Sequence, residues 1–131
     1  MGKREGDRAV TDRFEKRFDV ARERLDASAL LLEEGFPADA VSRAYYAVYE
    51  AARAMLASRE VRPATHKGVE NQLGHRFRDA SIDLQTFSQL RTDRQRSDYE
   101  LNRPEPSRVR IRLEDSQEFV KRAEMLLDET G

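Results

Sequence analysis

Cysteine and tryptophan are absent from these 131 residues, and histidine occurs only twice. The missing thiols exclude disulfides, thiolate metal sites and a cysteine nucleophile, and they suit a reducing cytoplasm. The two histidines, His66 and His75, cannot furnish the paired inward-facing Glu-x-x-His motifs of a di-iron bundle, so neither a metal nor another cofactor is expected. Phosphate-cradling loops are missing as well: the chain contains neither Gly-x-x-x-x-Gly-Lys-Ser/Thr nor Gly-x-Gly-x-x-Gly. No serine stands in a strained nucleophile elbow. No apolar run approaches membrane-spanning length, and the opening Met1-Gly-Lys-Arg-Glu-Gly-Asp-Arg lacks the apolar segment of a signal peptide. A net charge of −1 gives no global field that would advertise nucleic-acid binding, although clustered arginines leave room for a local basic patch.

Strand signals are equally scarce. No segment sustains period-two alternation, and no Asn-Gly or Asp-Gly hairpin turn occurs. What the chain has instead is helical periodicity. Charged residues make up 37% and hydrophobic residues 38%, a balance that suits amphipathic helices with ionic outer faces. Residues 1–11 read as a flexible leader and 12–131 as one domain. Five helices are expected, over 12–34, 37–58, 66–78, 81–102 and 108–129. Gly35 should stop the first as a C′ residue, with Pro37 close behind. Thr65 should cap the third, and Pro104 and Pro106 should end the fourth. The result is an all-α, mostly up-and-down helical bundle. The second helix has a core stripe of Val41, Ala44, Tyr45, Val48, Ala52, Met55 and Leu56. Beside it runs a polar-aromatic stripe, Ser42, Tyr46, Tyr49 and Arg53, suited to border another surface.

The fourth helix carries the unusual feature. Leu84, Phe87, Leu90/Arg91, Arg94, Ser97/Asp98 and Leu101 follow helical spacing, apolar at both ends and ionic in the middle. A guanidinium on such a stripe needs a partner, and Asp98 stands four residues after Arg94. One reading is a structural ion pair. The other is a site in which Arg94, with Arg91 nearby, clamps a phosphate through its planar fork. Asp98, Glu100 and Tyr99 are the remaining chemical groups at hand, but their ordinary titration ranges are ill matched to proton transfer near neutrality. Thr65-His66-Lys67-Gly68 adds a hydroxyl, an imidazole and an ammonium at a helix start, where anions are favoured; an ordinary capped loop explains the same residues.

Three segments in order carry a family resemblance. The run from Ser42 to Ala54, containing Ser-Arg-Ala-Tyr-Tyr, resembles the second-helix signature of HEPN (higher eukaryote and prokaryote nucleotide-binding) domains. Thr65-His66-Lys67-Gly68 followed by Phe77 resembles the next segment of one branch, and Arg94-Gln-Arg-Ser-Asp98-Tyr99 its Arg-Gln-x-x-Asp-Tyr motif. The resemblance spans about residues 13–127. It implies a five-helix bundle that forms a homodimer, and membership of a family that includes metal-independent ribonuclease toxins encoded beside a minimal nucleotidyltransferase antitoxin. The active-site pattern of that family is Arg-x(4–6)-His. Here Arg94 matches the arginine, but the residue reached after four intervening positions is Tyr99, and no histidine follows His75. In toxin–antitoxin relatives the partner adenylylates a tyrosine near the motif, and Tyr99 is the candidate by position.

The expectation is therefore a cytoplasmic protein that binds nucleotide or RNA phosphate and acts with a minimal nucleotidyltransferase. Arg94, Asp98 and Tyr99 are the candidate catalytic residues. Arg91, Arg94, His66 and Lys67 are the candidate ligand contacts, and Tyr46, Tyr49 and Arg53 the candidate dimer surface. The alternatives are an active ribonuclease toxin, with His66 supplying the imidazole, and a non-catalytic dimeric scaffold.

Overall fold

The computed structural model describes residues 5–99 and 103–130, with side chains over 14–98 and 103–128. Five helices follow in order: α1 (Glu5–Glu33), α2 (Pro37–Ala57), α3 (His66–Arg76), α4 (Gln85–Tyr99) and α5 (Pro106–Thr130). The described residues contain no strand, and the protein is an all-α bundle.

Helix α2 is the axis of the fold, in contact with each of the other four. Its alanines make this possible. Ala40, Ala44, Ala47, Ala51, Ala52 and Ala54 are all buried, and a methyl side chain lets neighbouring backbones approach closely while favouring helix. Phe18, Ala21 and Leu25 of α1 close one side. Phe87 and Leu90 of α4, with Val109, Phe119 and Val120 of α5, close the other. Each fully buried phenylalanine contributes roughly 1.5–3 kcal/mol over its exposed state. The sequence stripe on α2 is correct but too narrow, because small residues carry little periodic signal of their own.

The helix ends follow local chemistry. Gly35 adopts φ +90°, its N–H donates to the Leu32 carbonyl at 3.2 Å, and the Phe36 N–H donates to Leu31 at 2.8 Å. That is a Schellman C-cap, and its left-handed C′ residue favours glycine. Thr65 accepts from the Gly68 N–H at 2.9 Å, capping α3 as expected. Other boundaries differ. Helix α1 is already helical at Glu5, upstream of the expected residue 12. Helix α4 starts at Gln85 rather than 81, because the Asp83 carboxylate accepts from the Gln85 N–H at 3.0 Å and fixes the entry turn. Pro106 lies beyond α4 and also opens α5, two residues before the expected start at 108, where its fixed φ and missing N–H are harmless. The expected end of the fourth helix at 102 lies outside the described residues.

Among the described residues one carboxylate is buried, and it is not the one the fourth-helix stripe suggests. Asp93 is 7% exposed. Arg112 Nε donates to its Oδ2 at 2.8 Å and Arg108 Nη2 to its Oδ1 at 3.1 Å. Arg112 also reaches Gln89 at 3.2 Å. This network ties α4 to α5. The expected structural pair, Arg94 with Asp98, is looser: Nε to Oδ2 is 3.6 Å, and the Asp98 side chain is 54% exposed. Helical rotation explains the difference, since Asp93 lies three residues after Leu90 on the face toward α5 while Asp98 turns to solvent.

Candidate functional site

Arg94 lies against α2. Its guanidinium carbon is 4.9 Å from the centre of the Tyr45 ring and 5.1 Å from that of Tyr46, and its side chain is 27% exposed. Contact with two aromatic faces holds a cation by cation–π attraction. Yet none of its N–H groups makes a hydrogen bond to another described residue, and Asp98 is its one ionic neighbour among them. The fork is thus held in place with its donors uncommitted.

His66 shares the same aromatic support. As the first residue of α3, it follows the Thr65 cap. Its Nδ1 lies 2.8 Å from the Tyr45 hydroxyl. Its ring stacks on Tyr49 at 4.2 Å, with 19° between planes. Gly68 permits this tight entry: a Cβ there would lie 3.0 Å from both Pro63 Cβ and Thr65 Oγ1. Tyr45 itself is 1% exposed. Burial raises its pKa above the ordinary phenol value, a shift only partly opposed by the Arg94 charge. The hydroxyl therefore stays protonated beside Nδ1, and which of the two donates depends on the imidazole tautomer.

A cleft of about 560 Å³ separates α3 from α4, lined by His66, Lys67, Glu70 and Asn71 on one side and by Arg91 and Gln95 on the other. Arg91 crosses it: Nε stands 2.8 Å from Glu70 Oε2, and Nη2 donates to Oε1 at 3.5 Å. The short Nε contact is ionic rather than a hydrogen bond, because that N–H is misaligned. Lys67 is exposed and forms no ion pair with a described residue. Arg94 does not line the cleft; it meets His66 through their shared contacts with Tyr45 and Tyr46.

Sequence-expected residues thus fall into three groups. Arg94, His66, Tyr46 and Tyr49 gather in one aromatic–cationic cluster. Arg91 and Lys67 line the adjoining cleft, although Glu70 already engages Arg91. Asp98 stands outward, and the Tyr99 side chain lies outside the described residues. Arg53 is exposed, 5.7 Å from the Tyr49 ring and 3.8 Å from Glu50. Tyr45 was legible only as a core residue. Its hydroxyl was the missed signal, since a buried phenol on a core stripe requires a partner. No group of three or more potential metal ligands occurs among the described residues, and no helix there is long and apolar enough to cross a membrane.

The fold, the tyrosine-rich second helix and the arginine-bearing fourth helix agree with a match of the HEPN domain family to residues 14–130. The chain belongs to the HEPN domain family. It is similar to a protein named "Putative toxin MJ0605" from Methanocaldococcus jannaschii, 27% identical over 124 residues covering 92% of each chain. A second protein of that organism, "Putative toxin MJ0142", is 27% identical over 121 residues, 89% of this chain and 78% of its own. UPF0332 protein PH1297 of Pyrococcus horikoshii is 34% identical over 92 residues, 70% of this chain and 64% of its own.

Proposed function

We propose that this protein is a toxin-type HEPN protein that binds the phosphate of a nucleotide or RNA through Arg94 and acts with a minimal nucleotidyltransferase as its antitoxin-type partner. The observation that carries the binding step is a guanidinium held against the rings of Tyr45 and Tyr46 with no hydrogen bond made to the described protein. Fixing the fork beforehand lowers the entropy lost on gripping a phosphate. The names of the two Methanocaldococcus relatives support the toxin-type reading. Tyr99 enters as a modification acceptor by position alone.

The scaffold alternative assigns Arg94 a structural duty. Asp93, Arg108 and Arg112 already supply the buried ionic tie of α4, so that duty is filled elsewhere. Ribonuclease activity is the second reading. It is favoured by His66, an imidazole held on the same tyrosine as Arg94, where it could move a proton while the arginine stabilises charge on the phosphate. We also infer a homodimer through the half-buried Tyr46 and Tyr49 with Arg53; ultracentrifugation showing only monomer at tens of micromolar would oppose it.

Calorimetric titration with adenosine triphosphate and with short RNA, on the wild type and on Arg94→Lys, tests the binding step. Lysine keeps the charge and loses the fork. Affinity should fall at least about tenfold, the equivalent of one charge-assisted hydrogen bond. Equal affinities in a folded Arg94→Lys would overturn the reading. Co-purification with the product of an adjacent nucleotidyltransferase gene tests the partner.

A further inference from the structure

The cleft between α3 and α4 holds features a phosphate alone does not need. His66 is exposed, yet its ring cannot turn freely: Tyr49 packs on it at 4.2 Å and the Tyr45 hydroxyl holds Nδ1 at 2.8 Å. One face of the imidazole is spent on Tyr49. Two carboxamides line the cleft with it, Asn71 on the same wall and Gln95 on the wall opposite. Both are exposed, and neither forms a hydrogen bond with another described residue. A carboxamide offers a donor and an acceptor side by side, the pattern that pairs with the edge of a nucleobase. The cleft volume, about 560 Å³, lies within the roughly 300–1,000 Å³ of small-molecule sites. The walls are mixed in sign, with Glu70 engaged by Arg91 and Lys67 in no ion pair with a described residue. That suits a neutral, polar ring better than a second phosphate.

We propose that this cleft is a nucleobase subsite: an unpaired base stacks on His66 and is read along its edge by Asn71 and Gln95, while its phosphate lies on Arg94. The proposal rests on the phosphate-binding reading of Arg94 and extends it from an anion to a whole nucleotide unit. Tyr45 is a positioning residue, holding His66 through its hydroxyl and Arg94 through its ring. An imidazole already stacked on a tyrosine gives a flat support that any base can use, because stacking depends on the π-face rather than on base identity. The two amides add a preference among bases. A base in a duplex could not enter, so the ligand is a free nucleotide or a single strand.

The test compares adenosine monophosphate with a phosphorylated ribose that lacks the base. Wild type should bind the nucleotide at least about tenfold more tightly, the lower part of the range for one stacked base. His66→Ala should abolish that ratio, and His66→Phe should keep it. Asn71→Ala and Gln95→Ala alter exposed side chains in a folded bundle. They should leave affinity for the phosphorylated ribose unchanged while narrowing the difference between adenosine and uridine monophosphates. A single-stranded RNA hexamer binding more tightly than the mononucleotide assigns the site to RNA; the reverse order assigns it to the free nucleotide. Equal binding of nucleotide and phosphorylated ribose to wild type would overturn the base subsite and leave Arg94 as a phosphate site. Binding of neither would overturn both.

Discussion

The Tyr45 hydroxyl stands 2.8 Å from Nδ1 of His66. One residue of the second helix thereby fixes the first residue of the third, and the same phenol ring lies against the guanidinium of Arg94 on the fourth. Loop, core and cationic cluster meet at a single side chain.

This junction has a pH dependence. Burial raises the pKa of Tyr45 above the ordinary phenol value, so the folded state keeps a proton that the unfolded chain releases. The group leaves stability unchanged below about pH 10, and stability then falls as pH rises through the folded pKa. Denaturant midpoints measured from neutral to strongly alkaline pH should show this decline. Tyr45→Phe should flatten it and cost about 1 kcal/mol at neutrality for the lost hydrogen bond. An unchanged alkaline slope in that variant would assign the decline to other groups.

Removing Asp93 and removing Asp98 should have opposite weight. Asp93→Ala removes the closest partner of Arg112, whose side chain is only 16% exposed but keeps Gln89 at 3.2 Å and Asp115 at 3.9 Å, and should cost about 1.5–3 kcal/mol without changing nucleotide affinity in the folded fraction. Asp98→Ala removes a carboxylate that is 54% exposed and should cost about 0–1 kcal/mol. Chemical denaturation of the two variants side by side decides between them, and a larger loss in Asp98→Ala would reverse the structural assignment.

The glycines of α3 give a matched pair. A Cβ at Gly68 would press on Pro63 and Thr65, each at 3.0 Å, whereas one at Gly74 meets nothing within 4 Å. Gly74→Ala should stabilise by about 0.5–1 kcal/mol, the usual gain for alanine in a helix. Gly68→Ala should destabilise by about 1 kcal/mol through the threonine cap and weaken ligand binding by displacing His66. Thermal denaturation and nucleotide titration of both variants check the contrast.

Much of this was legible in the sequence for specific reasons. Gly35, Thr65 and the aliphatic stripes act locally, and each appears where its chemistry places it. The buried Asp93 was not legible, because its partners Arg108 and Arg112 lie beyond two prolines on another helix, and periodicity within α4 favoured Arg94 with Asp98. His66 and Arg94 were both visible as candidates, but only tertiary packing reveals the tyrosine they share. The start of α5 was placed at 108 rather than Pro106 because one residue serves both to stop a helix and to start one.

Arg94→Ala should fold. Asp98 remains solvated and the core is untouched, so the cost is the cation–π contact with Tyr45 and Tyr46, about 1–2 kcal/mol. A loss well above about 3 kcal/mol in urea denaturation would return Arg94 to a structural role.

Side-chain NMR of the arginines in the intact protein tests the grip of Arg94 on an anion most directly. On titration with adenosine monophosphate, the Nε–H resonance that is missing from Arg94→Lys should shift and slow its exchange with water, as a donor newly engaged by phosphate does. If that resonance stays fixed while the nucleotide demonstrably binds, the phosphate lies elsewhere and the uncommitted fork is not its site.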